Sequence, residues 1–144
     1  MISQTAEYAL RAIAFLATCD DVLTSRRDIA EAAQVPQDYL TKVMQELDRA
    51  GIVTSQRGPG GGYALSVEPE ELTVFDVVSV IAPVPRLREC PLGIKDHTNL
   101  CPLHKKLDEA AELVEQAFKG TTIAELIPGR SKAARCTFPQ QKNS

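Results

Sequence analysis

Gln56-Arg57-Gly58-Pro59-Gly60-Gly61-Gly62-Tyr63-Ala64-Leu65 decides how this chain is read. Glycine reaches backbone angles closed to other residues and carries no side chain. Three in succession after Arg-Gly-Pro therefore form a tight, low turn that can approach a surface closely. Ile52-Val53 and Tyr63-Ala64-Leu65 flank it as short apolar strands, and Arg57 stands at its edge as a cation, so the unit reads as a β-hairpin wing. A Gly-rich stretch can also cradle phosphate, but that use needs a Gly-Lys-Ser/Thr ending inside a parallel sheet, and this sequence has neither.

Upstream of the wing the apolar residues recur at helical spacing. Ile2, Ala6, Ala9, Leu10, Ile13 and Ala17 predict a first helix over 2–18, ended by Asp20-Asp21. Thr24 or Ser25 caps a short second helix, with Asp28 in the place of a capping-box acid and Ile29, Ala32 and Ala33 as its apolar side. Pro36, suited to the first position of a helix, follows the Gln34-Val35 turn and opens a third helix from Gln37 to Ala50. Leu40, Val43, Met44 and Leu47 face inward there, and Gly51 stops it. Helix, turn, helix, glycine stop and hairpin make a winged helix-turn-helix over residues 1–70.

Residues 71–127 form a second unit. Thr73 caps a fourth helix that ends before Pro83 and Pro85, a cysteine-containing loop spans 86–102, and Pro102 opens a long last helix. Leu103, Leu107, Ala110, Val114 and Ala117 repeat at four-three spacing, a seam too short for a free coiled coil but long enough for a dimer contact. Thr122 to Ile127 is a short capped helix, and 128–144 reads as a polar, mobile tail. The fold class is mainly α with a small β-hairpin wing, completed by a long C-terminal dimerisation helix.

Composition narrows the function. The 144 residues are 44% hydrophobic and 5% aromatic, with no Trp, which favours aliphatic helix packing. No apolar run is long enough to span a membrane and the start lacks a secretory pattern, so a cytoplasmic location is expected. No nucleophile-and-base pair stands out, which argues against an enzyme. The net charge is −3, and residues 1–70 hold six basic residues (Arg11, Arg26, Arg27, Lys42, Arg49, Arg57) against ten acidic ones. Nucleic-acid binding needs a local basic footprint rather than a basic total, so the binding would rest on a few placed cations, helix N-termini and backbone amides.

The start of the third helix offers Gln37, Asp38, Thr41, Lys42 and Gln45 off the apolar stripe, where the second helix of a helix-turn-helix meets base edges. Gln can bind adenine, Thr can meet a thymine methyl and Asp can accept from cytosine N4. A solvated helix face carries such residues too, and a winged helix can bind protein. The wing with Arg57 favours a grip on duplex DNA.

Cys90-Pro-Leu-Gly-Ile-Lys-Asp-His-Thr-Asn-Leu-Cys101-Pro-Leu-His104 holds the other chemistry: Cys90, His97, Cys101 and His104 are four soft or borderline ligands. Cys101 sits at a helix N-terminus, where the macrodipole favours the thiolate that metals need. An iron–sulfur cluster of mixed ligation, tetrahedral zinc, a thiol switch and two packed cysteines with surface histidines all fit this set. Cys19 reads as a small core residue and Cys136 as a tail thiol.

From Ser3 to about Ile127 the chain resembles the bacterial winged-helix regulators typified by the iron–sulfur cluster regulator IscR and the nitric-oxide-sensing repressor NsrR, the Rrf-two family. Ala6-Glu7-Tyr8-Ala9-Leu10-Arg11, Tyr39-Leu40, the wing from Arg57 to Tyr63, and Cys101-Pro102-Leu103-His104 carry the resemblance. It implies a homodimeric repressor on a roughly palindromic operator of double-stranded DNA, with contacts at Pro36, Asp38, Thr41 and Arg57. Gln37, Lys42, Gly60 and Gly61 complete the candidate DNA surface. It also implies a cluster in the loop, although cluster-binding members present three cysteines and this chain has Asp96 or His97 where the middle one belongs. Glu7 matches a carboxylate that some members lend from the partner's first helix, and Arg11 stands where one variant has a His. His104 matches a ligand used by others. A two-iron, two-sulfur cluster on Cys90, Cys101, His104 or Glu7 is the expected cofactor. The alternative is a cluster-free regulator controlled by a thiol switch, a small molecule or a bound protein.

Overall fold

The computed structural model describes residues 2–83, 90–93 and 101–127; Asp96, His97, Cys136 and the tail from 128 lie outside the described residues. Three helices come first: α1 (Gln4–Ala17), α2 (Arg26–Ala33) and α3 (Gln37–Arg49). Each begins and ends where local chemistry dictates. Ser3 Oγ accepts the Ala6 N–H at 3.1 Å and caps α1 one residue inside the expected start, while Asp20 and Asp21 turn the chain through left-handed backbone at its far end. Between Thr24 and Ser25, it is Ser25 that caps α2, accepting from Asp28 N–H at 3.1 Å. Gln34 closes α2 in the left-handed conformation, and Pro36 is the residue before the first turn of α3 rather than part of it. Gly51, at φ +77°, ends the helix pair as a glycine stop should.

Strands β1 (Val53–Gln56) and β2 (Gly62–Leu65) pair antiparallel in the register Val53 with Leu65, Thr54 with Ala64, Ser55 with Tyr63 and Gln56 with Gly62. β1 therefore runs on to Gln56, beyond the apolar pair that marked it in the sequence. The turn between them closes with Gly61 N–H donating to Gly58 O at 2.9 Å.

Helix α4 (Val74–Ile81) carries a full capping box: Thr73 Oγ1 accepts from Asp76 N–H and Asp76 Oδ2 accepts from Thr73 N–H. Helix α5 (Pro102–Lys119) is the long one, followed by a single 3-10 turn (Ala124–Leu126) where the sequence predicted a short helix. The segment after α5 returns to the domain. Val74 N–H donates to Thr121 O at 2.9 Å and Ile123 N–H to Leu72 O at 2.7 Å, burying Ile123 and Ile127.

One aliphatic core joins these elements. α1 lies at its centre, packed on α2, α3, α4 and β2, with Ile13, Ile29, Leu40, Met44, Leu47, Val77 and Ile123 almost wholly enclosed. Each such side chain contributes on the order of 1.5–3 kcal/mol relative to exposure. Tyr8, Tyr39 and Arg11, all drawn from the family-like motifs, form one stack at the helix-turn-helix corner. The Tyr8 and Tyr39 rings meet edge-on at 5.7 Å, and the Arg11 guanidinium lies 5.7 Å from the Tyr8 ring while reaching Gln34 O. Arg11 thus ties α1 to the turn before α3.

α5 stands apart in character. His104 is its one fully buried residue, and Leu103 and Leu107 are each 42% exposed, with Leu113 at 71%. Among the described residues, no helix is long and apolar enough to cross a membrane.

Candidate nucleic-acid interface and thiol pair

The recognition surface is assembled by three elements locked together. On one side Ser55 Oγ donates to Asp48 Oδ2 at 2.8 Å, fixing β1 to the C-terminal part of α3. On the other, Thr24 and Tyr63 exchange both backbone hydrogen bonds at 2.9 Å, an isolated antiparallel bridge that joins the residue before the α2 cap to the wing. Gly62 makes this approach possible. A Cβ there would lie 2.3 Å from Thr24 O, a distance no neighbour tolerates. Gly61 is held as closely, its notional Cβ 2.2 Å from Gln56 O. Gly61 and Gly62 are thus used for close backbone packing within the domain.

The result is an open groove of about 550 Å³ between α3 and the wing, lined by Ser25, Arg26, Gln45, Asp48, Arg57 and Tyr63 among others. Of the expected DNA-facing residues, Pro36, Gln37, Asp38 and Lys42 are exposed at the start of α3, and Arg57 and Gly60 are exposed on the wing, with Gly61 half-buried beside them. Thr41 is half-buried, and its hydroxyl is engaged twice: it donates to Gln37 O at 3.0 Å and accepts from Arg26 Nη1 at 3.1 Å. The residue pattern alone does not mark Arg26 as part of this surface. The only signal was its place directly after the Ser25 cap, at the mouth of the helix pair.

The second constellation lies at the other end of the chain. Cys90 Sγ and Cys101 Sγ approach to 3.4 Å without a disulfide between them. Cys101 is the residue that caps α5: its sulfur accepts the His104 N–H at 3.3 Å. His104 itself is 4% exposed, with Nδ1 enclosed, so its imidazole lies within the protein rather than on the surface. Glu7 is exposed on the first turn of α1. Among the described residues, no three His, Cys, Asp or Glu side chains converge as a metal-binding group. Within one chain, then, two thiols converge, with the buried His104 one turn along α5, and Glu7 does not join them. Cys19 is separate, its thiol donating to Phe15 O at 3.4 Å on α1.

A helix pair, a wing stapled to both helices and a groove with two arginines define a winged-helix, DNA-binding type of regulator. Comparison with known proteins gives the family. Residues 2–129 match the Rrf2 family, described as "Iron-dependent Transcriptional regulator", and the chain belongs to that family. An HTH-type transcriptional regulator of Aquifex aeolicus (strain VF5) is 36% identical over 131 residues, covering 88% of this chain and 91% of its own. Among solved structures, CymR (YrzC), the global cysteine regulator of B. subtilis, superposes with a TM-score of 0.70 at 28% identity, covering 88% of this chain and 95% of its own. T. potens IscR superposes with a TM-score of 0.75 at 23% identity over 95% and 93% of the two chains, a likeness of fold. Family and relatives are transcriptional regulators, so the protein is a winged-helix transcriptional regulator.

Proposed function

We propose that this protein is a homodimeric repressor that binds a palindromic operator in cytoplasmic DNA and responds to a redox or iron–sulfur signal at the Cys90–Cys101 pair. The observation that carries the DNA part is the rigid groove. α3 and the wing are held at a fixed spacing by the Asp48–Ser55 and Thr24–Tyr63 hydrogen bonds, as two elements gripping one duplex require. Gln37, Asp38, Thr41 and Lys42 supply the helix side, and Arg57 with the Gly60-Gly61 backbone supplies the wing side. Pro36 sets the angle at which α3 enters.

The exposed Leu103, Leu107 and Leu113 support a dimer contact along α5, since three large apolar side chains on one helix are costly to leave in water. Two copies related by a two-fold axis would present two recognition helices, hence an inverted repeat.

At the thiol pair the donor set fits a two-iron, two-sulfur cluster in part. Cys90 and Cys101 would supply the thiolates, His104 a nitrogen one turn along α5, and Glu7 of a second copy the fourth ligand. Such a cluster, when bound, supplies one-electron redox chemistry and reactivity toward oxidants and nitric oxide. The protein's own contribution is to hold the two sulfurs together and to cap one of them with the α5 N-terminus. The family description supports iron dependence. The 3.4 Å sulfur separation also supports a second reading, a cluster-free thiol switch in which the same two sulfurs respond directly.

Selection from a randomised duplex library with the anaerobically purified full chain tests the proposal. Enrichment of an inverted repeat is expected. Sequences no different from the starting library would overturn it.

A further inference from the structure

Arg26 occupies a position that helix energetics disfavour. It is the first residue of α2, where the helix dipole stabilises acids and opposes cations. The side chain leaves its own helix and crosses to α3, donating from Nη1 to Thr41 Oγ1 at 3.1 Å. Thr41 cannot donate elsewhere, because its single hydroxyl proton is given to Gln37 O. At the Thr41 position of α3 the donors therefore come from the Arg26 guanidinium, which carries five N–H groups and uses one of them on Thr41, and they add to those of the exposed Gln37, Lys42 and Gln45 side chains. Arg26 also lines the groove that Arg57 lines from the wing side.

We propose that Arg26 is a specificity-determining residue that reads a guanine in the major groove, with Thr41 as its positioning residue. This rests on the DNA-binding reading above. A guanidinium tethered to the face of the helix that enters the major groove presents its planar fork toward base edges, and guanine O6 and N7 are the paired acceptors that match it. Tethering removes rotamer freedom before binding, so less is lost on contact. A phosphate contact would instead have Arg26 extended outward from the α2 N-terminus, free of Thr41.

The probe is the duplex that the wild-type chain selects from a random library, together with versions in which each G·C pair is changed to A·T. Anisotropy titrations over a salt series would compare wild type, Arg26→Ala, Arg26→Lys and Thr41→Val. One G·C pair per half-site is expected to matter about tenfold or more to wild type and not at all to Arg26→Ala. Arg26→Lys should keep the salt slope and lose the discrimination, since charge remains and the fork is gone. Thr41→Val should weaken discrimination without changing the slope. If Arg26→Ala instead weakens every duplex equally and lowers the salt slope by about one, Arg26 is a phosphate contact and the proposal fails. Unchanged binding in Arg26→Ala also overturns it. Should wild type select no sequence at all, the underlying DNA-binding reading falls, an outcome separate from failure of Arg26 alone.

Discussion

Cys90 and Cys101, eleven positions apart, hold their sulfur atoms 3.4 Å from each other, and one of the two also caps the long α5 helix. Any chemistry that binds or joins these sulfurs therefore acts on the first turn of the helix that carries Leu103 and Leu107. Under the proposed dimeric, thiol-responsive reading, a change at the pair would reach the start of the exposed apolar seam and so the dimer contact.

Anaerobic reconstitution with iron and sulfide should load wild type and Cys19→Ala alike, and should fail with Cys90→Ala or Cys101→Ala. Cys19 is tied to Phe15 O on α1, away from the pair. Iron and sulfide assays with visible spectra read the result. Full loading of either loop mutant would remove that cysteine from the site.

Without a cluster, the same geometry predicts that the two thiols can join as a disulfide. The sulfurs need to close from 3.4 Å to about 2.05 Å, a short movement for residues on a loop and a helix start. Treatment with hydrogen peroxide should remove one hydrogen from each thiol, joining the sulfurs and reducing the peroxide to water. Alkylation and mass spectrometry should then find both cysteines protected in the wild type. If both still alkylate after oxidation, the pair is not redox-competent.

Arg57→Ala should weaken duplex binding by more than about 1 kcal/mol and lower the salt slope by about one, as expected for a charge at the wing edge. Equal affinity and slope for mutant and wild type would place Arg57 outside the interface.

Leu107→Asp introduces a charge at an exposed seam position of α5. A single exposed chain would tolerate it, whereas an apolar dimer contact would lose several kcal/mol. Sedimentation at low micromolar concentration should show monomer. Persistence of the dimer would mean that the contact lies elsewhere.

Gly62→Ala should destabilise the domain by about 1–3 kcal/mol, because the new Cβ meets Thr24 O at 2.3 Å and backbone must move. Thermal unfolding measures the loss, and DNA affinity should fall with it since the bridge between wing and α2 opens. A mutant as stable as wild type would show that the Thr24–Tyr63 junction is not a fixed part of the interface.

What the sequence determined by itself was the order of the elements and most of their ends to within a residue or two. Thr24 or Ser25 ahead of Asp28, Thr73 ahead of Asp76, Gly51 after a helical stripe and three glycines in a hairpin are signals confined to a few residues, and the forces behind them act over the same few residues. Leu40, Val43, Met44 and Leu47 were legible as core for the same reason, since their spacing is the period of the helix. Tertiary structure alone decided what met across the chain. Nothing local marks Thr24 as a partner for Tyr63, Arg26 for Thr41, or Cys90 for Cys101 at contact distance. The first two pairings follow from how α2, α3 and the wing pack around α1, and the third sets the residue that caps α5 against one eleven positions earlier. The groove and the thiol pair are therefore properties of the tertiary structure, whereas the helices and wing that build them are properties of the sequence.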